Sequence, residues 1–310
     1  MNWKDRRREN WKGTGNDMNN LLEGKPEEIP AVSLHSFEGH PYKVLDDEEM
    51  DALTESILEH GIISPLIVRP KENATGEYEI VSGHRRFRAA QKAGLETVPA
   101  FILPITREEA AVILVDSNLH REHLLPSEKA FAYKLKADAM KHQGKHIEQS
   151  LGQFVPKTDQ NRTTGMIGES AGESYKTVQR YIRLTRLVPE LLQWVDEGKV
   201  AFSVGAELSY LDSGLQRNVV ENCEYFDCTP SYAQSVQMHR MYNSGSLDAY
   251  RIYDILSQEK GNQNEKIKIS QEKLRGKIPQ NLTDLQLEEF IAKACDFYSR
   301  YLLKKKEKER

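Results

Sequence analysis

Cysteine is scarce in this chain. Cys223, Cys228 and Cys295 form an odd, scattered set with no short paired spacing and no histidines at zinc-finger intervals, which argues against a metal scaffold and points to reduced thiols. Long apolar runs are missing too. None approaches the ~18 residues a membrane-spanning helix needs, and the basic start Met1-Asn2-Trp3-Lys4-Asp5-Arg6-Arg7-Arg8 is not followed by an apolar stretch. A cytoplasmic location is the expectation. Bulk positive charge is also absent: the formal net charge is −4, so any contact with a polyanion has to be local.

What remains is room for several domains. A chain of 310 residues, 38% hydrophobic and 29% charged, can form two or three domains and still carry solvated tails. Residues 1–25 mix Arg, Asn, Gly and Lys without apolar periodicity and read as a flexible basic arm. Asp46 to Glu49 then opens a helix with Met50, Leu53, Ile57 and Leu58 at helical spacing, stopped by Gly61. Ile62 to Arg69 and Tyr78 to Val81 read as strands, Arg85 to Ala93 as a helix ended by Gly94, and Val98 to Leu103 as a further strand.

Beyond Arg107 the strand signals fade. Val112 to Val115 and Ser127 to Met140 read as helices, Gln143 to Asn161 as a connecting loop, and Leu282 to Leu303 as an amphipathic helix with a charged end. That last helix fits docking on its own domain at least as well as docking on a partner. The expected fold class is α+β. It comprises the arm, a mixed α/β domain over 26–125, an all-α domain over 126–215 and a mostly helical region over 216–310 that is a candidate for dimerisation.

Two segments carry chemistry. In the stretch from Thr163 to Leu184, Gly172 supplies a tight turn and Ser174 an N-cap for a second helix. Val178, Tyr181 and Ile182 occupy one side of that helix; Tyr175, Lys176, Thr177, Gln179, Arg180 and Arg183 occupy the rest. Gln and Arg can form paired hydrogen bonds with purine edges, and Lys176 and Thr177 can reach phosphates, which is the pattern of a helix-turn-helix on double-stranded DNA. Residues 157–187 hold six Lys or Arg against three Asp or Glu, a local surplus of +3. An ordinary solvated helix is the alternative. The first helix is weak in propensity because of Gly165 and Gly168.

The second segment is Val81 to Ala90, in which a strand end, Gly83 and the start of a basic helix meet. Backbone N–H groups and the guanidiniums of Arg85, Arg86 and Arg88 suit an anion there, against the alternative of a charged surface helix packed through Phe87, Ala90 and Ala93.

Over roughly residues 26–215 the chain resembles the ParB family of partition proteins. Gly61-Ile62-Ile63-Ser64-Pro65-Leu66-Ile67-Val68-Arg69 resembles the family's first nucleotide motif, Gly83-His84-Arg85-Arg86-Phe87-Arg88-Ala89 its Gly-Glu-Arg-Arg segment, and Asn118-Leu119-His120-Arg121-Glu122-His123-Leu124-Leu125-Pro126 its third. The resemblance implies a homodimeric, CTP-dependent DNA clamp that loads at a centromere-like site, associated with nucleoid or plasmid. It places Gly61, Ser64, Pro65 and Leu66 near the nucleotide, Gly83, His84, Arg85, Arg86 and Arg88 at the triphosphate, Asn118 on Mg²⁺, and Arg121 and Glu122 beside it. Arg6 to Arg8 resemble the arm with which such proteins engage a ParA-type ATPase.

The departures matter as much. His84 stands where the family has Glu, and Ser117 where an acidic residue precedes the Asn, so nucleotide hydrolysis is in doubt. Asp116 could compensate, though one helical position rotates a side chain by about 100°. These departures, with an unrecognised C-terminal region, suggest a plasmid or integrative-element relative. Sulfiredoxin-like chemistry would need a Cys beside the Gly83 turn, and the nearest is Cys223. Nucleoid occlusion or transcriptional regulation remain alternatives, with Trp3 and Trp11 a faint hint of a membrane-targeting helix. The pairs His120/His123 and His142/His146 lack carboxylate or Cys partners and read as solvated histidines.

Overall fold

The computed structural model describes residues 25–72, 74–119, 121, 124–151 and 160–258, with part of 290–300; the side chains of 143–151 and 160–162 are excepted. Residues 1–258 form one unit and 259–310 a second. In the second unit, residues 290–291, 293–294, 297–298 and 300 are helical, inside the span expected for the C-terminal helix.

The first unit begins with a five-stranded mixed sheet. Its strands are β1 (Glu27–Pro30), β2 (Leu34–Ser36), β3 (Leu66–Pro70), β4 (Tyr78–Ser82) and β5 (Thr97–Ile102), in the order β1-β5-β3-β4-β2. β3 pairs antiparallel with β4 and parallel with β5, while β1 and β2 close the two edges. Only the three inner strands carry a sequence signal. β1 and β2 are short, and β1 ends on Pro30, which an edge strand tolerates because one side of its backbone faces no partner. Two helices lie between strands: α1 (Glu48–His60) and α2 (His84–Lys92). Asp47 caps α1 by accepting from the Met50 N–H at 2.9 Å, and Gly61 ends it at φ +68°, a conformation that favours glycine. Leu66, Val68, Ile80, Phe87, Val98 and Ala100 fill the core between sheet and α2.

The remainder of the unit is helical. It contains α3 (Arg107–Asp116), α4 (Pro126–Leu151), α5 (Gln160–Ala171), α6 (Tyr175–Leu184), α7 (Pro189–Asp196), α8 (Phe202–Leu208), α9 (Ser213–Tyr225), α10 (Tyr232–Asn243) and α11 (Ala249–Ser257). The expected loop at Gln143–Asn161 is corrected in part. α4 runs on to Leu151 and α5 starts at Gln160, because Gly144 alone does not stop a helix whose first turns are already fixed by packing; residues 152–159 lie outside the described set. One core joins Val81 and Leu103 of the sheet domain to Leu114, Tyr133, Ile167 and Val178, so α3 and α4 couple the sheet to the helix-turn-helix. Another gathers Ala130 of α4 with residues from Leu184 to Leu256, and the boundary expected at residue 215 falls inside α9.

Candidate nucleic-acid interface and anion pocket

The turn between α5 and α6 is built by two glycines for different reasons. Gly172 sits at φ +69°, where an L side chain is strained. Gly168, a weakness on propensity grounds, proves necessary: a Cβ there would run into the Glu173 carbonyl oxygen, whose own N–H donates to the Gly168 carbonyl at 2.8 Å. Ser174 then caps α6, its Oγ accepting from the Thr177 N–H at 3.1 Å. Val178 and Leu184 turn into the core.

The opposite side of α6 opens on a groove of about 540 Å³ lined by Tyr175, Lys176, Gln179, Arg180 and Arg183, together with Lys134 and Lys141 of α4, Arg186 and Tyr210. Lys176 and Arg180 are exposed there. Arg183 is not. Its Nη2 donates to the Ser209 carbonyl at 3.0 Å, and its guanidinium lies 3.6 Å from the Tyr210 ring centroid. Arg186 belongs to the basic surplus read over 157–187, whereas Lys134, Lys141 and Tyr210 escape motif reading because no local spacing connects them to α6.

The second site is a cavity of about 240 Å³ at the N-terminal end of α2, lined by His40, Lys43, Gly83, His84, Arg85, Arg86, Ser117, Asn118 and Arg121 among others. Gly83 makes the junction, with φ +106° and the Leu66 Cγ only 3.0 Å from where a Cβ would lie. His84 begins α2 and its Nε2 accepts from the Phe37 N–H at 3.4 Å, while its ring lies against that of His40, tilted by 34° with centroids 3.7 Å apart. Burial, and then repulsion between the two imidazoles when both are protonated and from Arg121, push the His84 pKa down to about 3; burial likewise lowers that of His40. Both imidazoles are neutral at pH 7, and the positive charge of the cavity comes from Lys43, Arg85, Arg86 and Arg121.

The expected site residues divide sharply. Gly83, His84, Arg85, Arg86, Asn118 and Arg121 come together around the cavity. Arg86 also donates to the Ser64 carbonyl and, at 2.9 Å, to that of Pro65, so these two residues brace the arginine through their backbone. Leu66 is fully buried beneath Gly83, and Gly61 serves as the cap of α1. Arg88 is exposed and paired with Asp46 at 2.6 Å, away from the cavity lining. Arg85 is shared with Asp47 and Glu49 at 3.5 and 3.1 Å. Glu122, the pair His120/His123, His146 and Arg6 to Arg8 lie outside the residues or side chains described.

Asp116 does not stand in for the missing carboxylate. It is tied to Lys136 of α4 at 2.5 Å and is absent from the cavity lining. No carboxylate lines the cavity among the described residues, so oxygen donors for a hard cation come from Ser117 and Asn118. The lining suits a polyanion better than a bare metal ion. His40 and Lys43, on the segment that precedes α1, carry no sequence signal because the tertiary fold alone brings that segment over α2.

A sheet domain with a basic pocket, followed by a helix-turn-helix, is the class that fold and sites define. The ParB N-terminal domain model matches residues 15–119. Stage 0 sporulation protein J of Bacillus subtilis is 34% identical over 203 residues, 64% of this chain and 64% of that protein. Chromosome-partitioning protein Spo0J of Thermus thermophilus is 32% identical over 172 residues, 56% of this chain and 55% of that one. A nucleoid occlusion protein of Halalkalibacterium halodurans is 31% identical over 214 residues, covering 67% and 68%. A crystal structure of C-terminally truncated ParB from Caulobacter crescentus complexed with CTP-gamma-S aligns with 64% of this chain and 99% of its own, at 26% identity and a TM-score of 0.30. The chain belongs to the ParB family. It spans 64% and 55% of the length of the first two of these relatives.

No helix among the described residues is long and apolar enough to cross a membrane.

Proposed function

We propose that the chain is a site-specific DNA-binding protein of the partition type, acting as a homodimeric clamp whose N-terminal pocket takes CTP. The observation that carries this reading is the open face of α6, where Lys176, Gln179 and Arg180 reach a groove edged by further lysines and arginines of α4 and the segment after α6. Gln179 and Arg180 read base edges, while Lys176, Lys134 and Lys141 hold phosphates.

In the pocket, Arg85, Arg86, Arg121 and the α2 N-terminus would hold the triphosphate, and Asn118 and Ser117 would be the side-chain oxygens offered to a Mg²⁺ bound with it, which would supply charge neutralisation there. His84, whose Nε2 already accepts the Phe37 N–H and whose basicity burial lowers, is a poor base for an attacking water, and Asp116 is engaged by Lys136, so with the described residues binding without turnover is expected. Rapid CTP hydrolysis on addition of the DNA site would contradict that. Arg6 to Arg8 are the proposed contact for a ParA-type ATPase.

Genome-wide chromatin precipitation tests the reading. A sharp peak with flanking spread supports loading and sliding; a sharp peak alone supports a static regulator; an even background removes site-specific binding. Nucleoid occlusion is the second reading, favoured by the relative of that name at 31% identity. Loss of plasmid or element inheritance on deletion, with cell division unchanged, supports partition over occlusion.

A further inference from the structure

Arg183 shares one stripe of α6 with Lys176, Gln179 and Arg180, at spacings of seven, four and three residues, yet at the groove wall its guanidinium is already engaged within the protein. Its Nε donates to the Ser209 Oγ at 3.3 Å, its Nη2 to the Ser209 carbonyl at 3.0 Å, and its plane covers the Tyr210 ring. The other face of the arrangement continues: Tyr210 stacks on His239 with centroids 3.9 Å apart and planes within 16° of parallel. His239 Nδ1 in turn lies 2.6 Å from the Glu207 carboxylate. A guanidinium, a phenol, an imidazole and a carboxylate thus link α6, the corner after α8, α10 and α8 itself. Burial holds the Arg183 pKa below the usual arginine value, as expected of a guanidinium withdrawn from water.

The consequence is geometric. A guanidinium fixed by two hydrogen bonds and one ring face cannot rotate about its stem, so the helix that bears it loses freedom to turn about its own axis. Base readout needs donors placed to within a fraction of an ångström, and Gln179 and Arg180 lie one turn earlier on that stripe. We propose that Arg183 is a positioning residue, and that the Arg183–Tyr210–His239–Glu207 stack sets the axial rotation of α6 and thereby the sequence specificity of the chain. Tyr210 borders the groove, but His239 does not, so His239 influences DNA only through Tyr210.

The proposal rests on the DNA-binding reading above, and two measurements on the full-length chain separate the fates of the two. The first is fluorescence anisotropy with two labelled 30-base-pair duplexes, one bearing the sequence the unmodified chain enriches from a randomised pool and one scrambled. His239→Ala should lower the ratio of affinities by about tenfold with affinity for the scrambled duplex and its salt dependence unchanged, and Arg183→Lys should lower the ratio by about tenfold; Tyr210→Phe, which keeps the ring, should retain the ratio. The second is amide hydrogen exchange of residues 175–184 without DNA, which should quicken by about tenfold in His239→Ala and Arg183→Lys.

Full specificity in Arg183→Lys would overturn the proposal, since a mere charge contact survives that exchange. Unchanged ratio and exchange in His239→Ala would do the same. If the unmodified chain enriches no sequence, the DNA-binding reading falls, and exchange alone decides the positioning role: quickened amides uphold it and unchanged amides end it. Should Arg183→Lys fail to fold, His239→Ala with Tyr210→Phe decides on the same terms.

Discussion

Arg180 and Arg183 sit three positions apart on one helix and have opposite fates. Arg180 is exposed on the groove, whereas the Arg183 guanidinium is spent on Ser209 and Tyr210. Arg180→Ala should therefore weaken specific binding by about 1–3 kcal/mol while leaving thermal stability within a degree or two, measured by titration and melting side by side. His84 yields a prediction about pH. Its folded pKa, about 3, lies below the value near 6.5 that the unfolded chain has, so below pH 6.5 the unfolded state binds the extra proton. Stability contributed by this residue is complete above pH 6.5 and is lost as the pH falls toward 3. Between pH 7.5 and 5, the unmodified chain should lose about 1–2 kcal/mol more in urea unfolding than His84→Gln, which cannot take up a proton. Equal losses in the two would mean that the ring is solvated.

At the scale of elements, the same residue type has opposite effects on α5. A Cβ at Gly168 meets the Glu173 backbone, but at Gly165 it meets nothing within 4 Å. Gly165→Ala should stabilise by about 0.5–1 kcal/mol through propensity, and Gly168→Ala should destabilise by about 1–2 kcal/mol despite the same gain, as read from denaturant midpoints. The sheet holds a comparable contrast between appearance and role. Arg69 and Glu79 face each other on β3 and β4, both nearly inaccessible, with the Arg69 Nε 2.8 Å from the Glu79 carboxylate. Glu79→Gln leaves the buried guanidinium with only the exposed Glu72 carboxylate, 3.2 Å from its Nη1, as counter-charge and should cost about 2–4 kcal/mol in denaturant unfolding. A loss under 1 kcal/mol would show that water reaches the pair.

For the whole molecule, the cores tell where the chain can be cut. The core that begins at Leu184 is completed by Val219, Val220, Cys223, Met238, Ile252 and Ile255, all buried. Ending the chain at residue 215 removes seven of the seventeen buried residues of that core and bares α7 and α8, so such a truncation should be unfolded or aggregated by circular dichroism. Ending it at residue 258 keeps the core whole and should preserve the melting temperature of the helix-turn-helix unit. The same continuity explains how α4 transmits load: it packs on the sheet-side core through Tyr133 and Ala137 while Lys129 reaches Glu173 at the helix-turn-helix turn.

Local chemistry is what the sequence by itself determined: the three inner strands, the helix opened at Asp46 to Glu49, the cap at Ser174, the Gly83 and Gly172 turns, and the basic motifs of the ParB family. Each depends on neighbours within a few residues, where spacing and side-chain type are enough. Tertiary structure decided what depends on distant partners. It placed β1 and β2 at the edges, brought His40 and Lys43 over α2, drew Asp116 to Lys136 and Arg88 to Asp46, and fixed the Arg183 guanidinium against Tyr210 at the groove wall. A charged side chain has several partners within reach of its stem, and only packing of the elements fixes which one it meets.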